Sequence, residues 1–440
     1  MEKGLSINNL INNFSENLKE LRELLKLPEK FEKQASNTKR KLDEIILPVL
    51  IKRVEMDFKK PPKGVPKEKI QRILDEFIEE YRKIAPKNIS KEGKLKIKID
   101  ETYFKNISRT KLEKEREIFN HCVSHKIHIE KAVLFNLVSY LEQSFSDVSH
   151  VILKANPEIL SLNDKSLTFD EIKKCLNLDE AKDFLVSEEI EKLLYKPLSS
   201  FFEFFENKVF KINFPSINTF REEITEIKER RNLLMHNGGV VNTKYLSSVS
   251  KCLQGKYKIE LGKKIGLDKA YLNDCIDKFE LIGLEILFFS SLKFQGKDDR
   301  DKGIWLINEI IYNTFVGEKQ NLLLGEKLSL FALSDKCKKF LNECQKDYYQ
   351  LNYWQILKKQ NKLELFKKET EKYDSSSKNN LIKLCFFSLI DDYPEACKYI
   401  IPSLDENDFN LDYYNQFPIL SNLRKQKKAK EIIKSFKTKK

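Results

Sequence analysis

The sequence predicts an all-α protein, and three observations carry that prediction. Apolar residues recur at helical spacing over long stretches of the 440 residues. Lys and Glu are interleaved in i,i+4 pairs, most clearly over Lys67 to Lys83. Period-two alternation is confined to Lys94-Leu95-Lys96-Ile97-Lys98-Ile99, which leaves room for at most a minor β hairpin.

In chain order, helical patterns cover Ile7 to Leu25 and Glu29 to Phe58, the second kinked or split at Pro48. Lys60-Pro61-Pro62-Lys63-Gly64-Val65-Pro66 ends that pattern, and a helix over Lys67 to Lys83 follows. Residues 1–127 form a first, mostly helical region without a catalytic signature, suited to sensing a trigger or binding a regulatory protein partner. A second region, 128–295, opens with an apolar helix over Ala132 to Leu153. Asn156-Pro157-Glu158-Ile159-Leu160 and a helix-rich run to Val209 come next. After Pro215 a helix begins at Asn218 or Thr219 and ends at His236; another turn starts within Tyr245 to Leu253. Leu281 to Leu292 is the most apolar run, too short to span a bilayer and suited to a buried core helix. The glycine-flanked run Gly296-Lys297-Asp298-Asp299-Arg300-Asp301-Lys302-Gly303 reads as a solvated linker into a third region, 296–440, of antiparallel helices. There Tyr353-Trp354-Gln355-Ile356-Leu357 and Asp391-Asp392-Tyr393-Pro394-Glu395-Ala396 resemble helical hairpins of the tetratricopeptide kind, without a clean 34-residue period.

Composition narrows the partners. The net charge is +13, which favours a polyanion through phosphate contacts and counterion release. Between Ser421 and Lys440 stand nine bases (Arg424, Lys425, Lys427, Lys428, Lys430, Lys434, Lys437, Lys439, Lys440) against one acid, Glu431. That tail either holds RNA or solubilises a helix end. A charged N-terminus without a signal peptide, and no apolar stretch of about 20 residues, predict a cytoplasmic protein off the membrane. Eight scattered cysteines without a Cys-x-x-Cys pair read as reduced, buried thiols, not a disulfide framework or a zinc site. His121, His125 and His128 fall at i, i+4 and i+7, a spacing able to bind zinc or copper. Without an obvious carboxylate ligand beyond Glu117, a polar helix face is the preferred reading, and no metal or other cofactor is assigned. His150 is read as structural. No phosphate-binding glycine loop, kinase signature or nucleophile elbow occurs.

One stretch carries chemistry: Glu229-Arg230-Arg231-Asn232-Leu233-Leu234-Met235-His236-Asn237-Gly238-Gly239-Val240-Val241-Asn242. Arg231 and His236 lie about 140° apart around a helix, whereas Asn232 and His236 share a face. Gly238 is placed for the left-handed residue past a helix end, which sets His236 in the last turn. A histidine there can exchange a proton near neutral pH, and a guanidinium fork matches phosphate oxygens. Arg116-Glu117-Ile118-Phe119-Asn120-His121 has similar spacing but lacks the amide and the glycine pair, and is read as coincidence. Leu233, Leu234 and Met235 are read as core.

Arg231, Asn232 and His236, with the glycine stop and the helix containing Leu134-Phe135-Asn136-Leu137-Val138-Ser139-Tyr140-Leu141-Glu142, resemble the HEPN family. Its signature is Arg-x(4 to 6)-His near the end of a core helix, often with a polar residue after the arginine. The resemblance covers about residues 128 to 290. It implies a helical bundle that homodimerises through this domain and cleaves RNA without metal, with Arg231, Asn232 and His236 as the catalytic residues. It also implies a toxin or antiviral abortive-infection role. The alternative is a HEPN module that binds RNA or a partner protein without catalysis. Glu142 is a candidate partner for Arg231; Tyr245 is read as packing, with base stacking as its alternative.

Overall fold

Helices make up most of the computed structural model, which describes residues 6–62, 65–90, 94–96, 99, 109–160, 166–173, 175–317, 320–405 and 409–439. Among the described residues no strand forms, and a lone antiparallel bridge pairs Ile89 with Leu95. Ile97 and Lys98 of the alternating run lie outside the described residues. The fold is all-α, and no helix among the described residues is long and apolar enough to cross a membrane.

The longer helices begin with α1 (Ile7–Leu24), α2 (Leu27–Lys59), α3 (Lys67–Ile84) and α4 (Arg109–Ala155). Then come α5 (Leu178–Leu194), α6 (Leu198–Glu203), α7 (Pro215–His236), α8 (Thr243–Ser248), α9 (Lys251–Lys256) and α10 (Lys269–Phe294). The rest are α11 (Lys297–Asn313), α12 (Leu322–Ala332), α13 (Glu343–Lys359), α14 (Leu363–Thr370), α15 (Asn380–Leu389), α16 (Leu411–Gln416) and α17 (Lys427–Lys439). The chain divides into two compact units. One comprises Met1–Leu18, Leu137–Lys263 and Asp274–Lys440; the other comprises Lys19–Asn136 and Lys264–Asn273.

In the smaller unit α2 and α3 pack as a hairpin over Leu47, Ile51, Leu74, Tyr81 and Ile89. Helix α2 runs unbroken through Pro48, which is buried, so the expected split does not occur. One proline removes a single backbone hydrogen bond, and burial of Leu47 and Ile51 on either side offsets that loss.

In the larger unit the centre is α10, buried at every position from 281 to 292, as its apolar run predicts. Around it Phe145, Phe201, Phe205, Phe210, Phe214 and Phe289 contact one another through rings 5.4–6.0 Å apart. A π-helical turn, Phe204–Phe210, ends at left-handed Lys211 and delivers the chain to α7. The charged run after Gly296 is not a solvated linker. Gly296 is the N-cap of α11, and Asp298 and Asp299 fill its first turn, where the helix dipole favours acids. Gly303 is buried, and a side chain there would strike Ser291 and Asn8.

Residues 296–440 all fall within this larger unit. Helices α11, α12 and α13 pack together, and α13, α15 and α17 share a core that includes Trp354, Phe386, Leu420 and Ala429. The basic C-terminal stretch is the helix α17, docked by Ala429, Ile432, Ile433 and Phe436. Buried Cys122, Cys275, Cys337, Cys385 and Cys397 match the expected thiols, whereas Cys252 and Cys344 are exposed and Cys175 is half-buried.

Candidate functional site

The site is organised by α7, whose first turn is held by two buried carboxylates. Glu206 accepts from the Phe214 backbone N–H at 2.8 Å and from Arg221 at 3.0 Å. Glu285, on α10, accepts from the Ser216 hydroxyl and backbone N–H. Acceptors at this end satisfy backbone donors that the helix itself cannot. Pro215 at the first helical position needs no such partner, which explains why the helix starts there and not at Asn218 or Thr219.

Midway along α7 the buried face is polar. Arg230 donates through Nε to Glu226 Oε1 at 2.6 Å, and its guanidinium lies 4.8 Å from the Tyr257 ring centre. The Tyr245 hydroxyl donates to the same carboxylate oxygen at 2.5 Å. Burial, then the neighbouring Glu226 charge, push the Tyr245 phenol far up and that of Tyr257 up to about 12. Tyr245 is therefore a packing residue, anchored from below the site and not placed to stack a base. This cluster was missed in sequence. Its signal was the i,i+4 spacing of Glu226 and Arg230 on the side of α7 that also carries Ile227 and Leu234.

The opposite stripe of α7 holds the motif. Arg231 and Asn232 are both half-buried, and Arg231 Nη1 donates to Asn232 Oδ1 at 3.0 Å. Arg231 Nε is enclosed and has no hydrogen-bond partner among the described residues. His236 is the last residue of the helix and is exposed, and it makes no hydrogen bond or ion pair among the described residues. Met235 is 48 % exposed and so does not belong to the core, unlike Leu233 and Leu234. Glu142 does not pair with Arg231; it takes Lys228 at 2.9 Å, one turn earlier on α7. The structure thus joins Arg231 with Asn232 and leaves His236 free at the helix end.

The stop that follows is built as the glycines predict. Gly238 and Gly239 have φ of +58° and +86°, a region L side chains rarely enter. The chain is then pinned by reciprocal backbone bonds: Val241 N–H to the Lys263 carbonyl and Gly262 N–H to the Val241 carbonyl, each 2.9 Å. Asn242 caps α8 by accepting from the Tyr245 N–H at 2.9 Å.

The other histidines are arranged otherwise. Arg116 and His121 are exposed in the interior of α4, far from its C-terminal end. His121 and His125 have ring centres 6.0 Å apart, and Phe31 lies edge-on to His125 at 5.3 Å. His128 Nδ1 is within 2.7 Å of the Ser124 carbonyl. Among the described residues no three His, Cys, Asp or Glu side chains converge as metal ligands. His150 is half-buried, and burial holds its imidazole below the ordinary histidine value.

A scan against protein-family models gives no match, and searches of curated proteins and of solved structures likewise return none.

Proposed function

We propose that this chain is a HEPN-type endoribonuclease that cleaves RNA without metal and works as a homodimer. The observation that carries this reading is the C-terminal end of α7, where half-buried Arg231 is joined to Asn232 and exposed His236 closes the helix before a two-glycine stop. His236 takes the proton from a ribose 2′-hydroxyl as that oxygen attacks phosphorus. Arg231 stabilises the charge gathering on the phosphorane oxygens, and Asn232 orients the guanidinium. The P–O5′ bond breaks, and the departing oxygen takes a proton from His236 of the partner subunit. One histidine cannot serve as base and acid in the same step, which is the chemical reason for two copies. The products are a 2′,3′-cyclic phosphate and a 5′-hydroxyl, and DNA, lacking the 2′-hydroxyl, is not cut. A toxin or antiviral effector in the cytoplasm, quiet until a trigger or regulatory partner acts, is the role this chemistry suits.

The test is incubation of single-stranded RNA with purified wild type and His236→Ala in EDTA. Wild type is expected to leave cyclic phosphate ends, with His236→Ala slower by about 10²-fold or more, the usual worth of a general acid or base. Equal cleavage by both proteins would remove His236 from the mechanism. One observation favours a second reading, an RNA- or protein-binding module without catalysis: among the described residues His236 makes no hydrogen bond to Arg231 or Asn232. On that reading neither protein cuts RNA, yet both bind it alike.

A further inference from the structure

A concavity lies far along the chain from Arg231, between α11, α13 and the segment from α16 to Ile419, with a volume of about 710 Å³. That falls within the roughly 300–1,000 Å³ of small-molecule sites. Its walls are aromatic. Trp305 is 43 % exposed and Tyr413 is 52 % exposed, and Trp305 meets Tyr348 edge-on at 5.2 Å. Its floor is a chain of primary amides. Asn352 Nδ2 donates to Asn308 Oδ1 at 3.0 Å, and Gln355 Nε2 donates to Asn352 Oδ1 at 3.3 Å. That chain leaves the Asn308 amide nitrogen, a donor, and the Gln355 carbonyl oxygen, an acceptor, outside its bonds, and both residues line the cavity. Glu309 stands exposed on the rim, and the lining holds no lysine or arginine.

We infer that this cavity binds an unphosphorylated nucleoside. The aromatic walls supply stacking faces for a planar heterocycle, and every nucleobase carries donors and acceptors along an edge that amides can read. The Glu309 carboxylate is placed to accept from ribose hydroxyls, as acidic residues do in dinucleotide sites. The same carboxylate, with no lysine or arginine in the lining to offset it, repels a phosphate, so the site selects against nucleotides. This inference does not depend on the Arg231 site.

Tryptophan emission tests it in the full chain. There are two tryptophans, and Trp354 is 1 % exposed, so a ligand in this cavity quenches Trp305 selectively. Adenosine, guanosine, cytidine and uridine are titrated, each against its 5′-monophosphate. Saturable quenching by at least one nucleoside is expected, at least tenfold tighter than by its monophosphate. Asn308→Leu is expected to abolish it. Glu309→Lys, an exposed change that leaves folding intact, is expected to invert the preference in favour of the monophosphate. The inversion is a gain that a misfolded variant cannot mimic. Three results would each overturn the assignment: no saturable quenching by any nucleoside at millimolar concentration, equal affinity for nucleoside and monophosphate in both proteins, or quenching only by tyrosine- or proline-bearing peptides.

Discussion

Burial raises the Glu285 carboxyl from an ordinary 4.5 to about 7, against the pull of the Ser216 donors and of Lys327 and Lys336. The folded protein therefore binds a proton there that the unfolded chain releases between those two values. Stability from this group is present in full below about pH 4.5, declines as pH rises to about 7, and is flat above. A shift of that size corresponds to about 3 kcal/mol. Glu285→Gln keeps an acceptor for Ser216 and cannot ionise. Relative to wild type it should be neutral near pH 4 and more stable by about 1–3 kcal/mol at pH 8, read as the difference of two melting curves at each pH. A difference that does not change with pH would show that Glu285 does not titrate in this range. Residues such as this were not legible in the sequence, because their partners lie far along the chain. The placement of Arg231, Asn232 and His236 near the end of one helix was, since spacing along a helix is local information. The pairing of Glu142 with Lys228 shows the limit: sequence placed the acid near α7 but not the turn of α7 it would meet.

At the scale of elements, the helices were legible in the sequence and their joints were not. The α10 core and the helices α2 and α3 follow from periodicity; the packing of α2 on α3 does not. The start of α11 did not, because Gly and Asp also mark linkers, and the closeness that demands Gly303 is a tertiary fact. Gly283 shows the same device within α10. A methyl group there would run into the ring of Phe14, which is 1 % exposed and has nowhere to turn. Two terms compete in Gly283→Ala. Helix propensity favours alanine by about 1 kcal/mol, whereas overpacking a closed core costs about 1–3 kcal/mol. The ring is enclosed, so overpacking should win, with a net loss of up to about 2 kcal/mol in urea unfolding. Phe14→Leu in the same chain should recover part of that loss, since the two residues touch. Strict additivity of the two changes would mean the clash is relieved elsewhere.

Over the whole molecule the charge surplus has to be divided between surface and structure before it argues for RNA. Arg424 belongs to structure. It is half-buried and donates to the carbonyls of Tyr414 and Phe417 at 2.7 and 2.8 Å. Lys430, Lys434 and Lys437 are different: all three are exposed along α17, and none makes an ion pair among the described residues. The same helix seals the C-terminal core through Ile432, Ile433 and Phe436, so deleting it removes packing as well as charge. A truncation after Gln426 should lower the melting temperature by several degrees, since each apolar side chain re-exposed forfeits about 1.5–3 kcal/mol if fully buried and less where partly so. Its loss of RNA binding would then be uninterpretable. Reversing Lys430, Lys434 and Lys437 to glutamate separates the two roles. The melting temperature should hold, while affinity for a single-stranded RNA falls. The slope of log K against log salt should also flatten by about 2, three phosphate contacts at roughly 0.7 each. An unchanged slope with unchanged affinity would assign α17 to the fold alone and move the polyanion contact elsewhere on the surface.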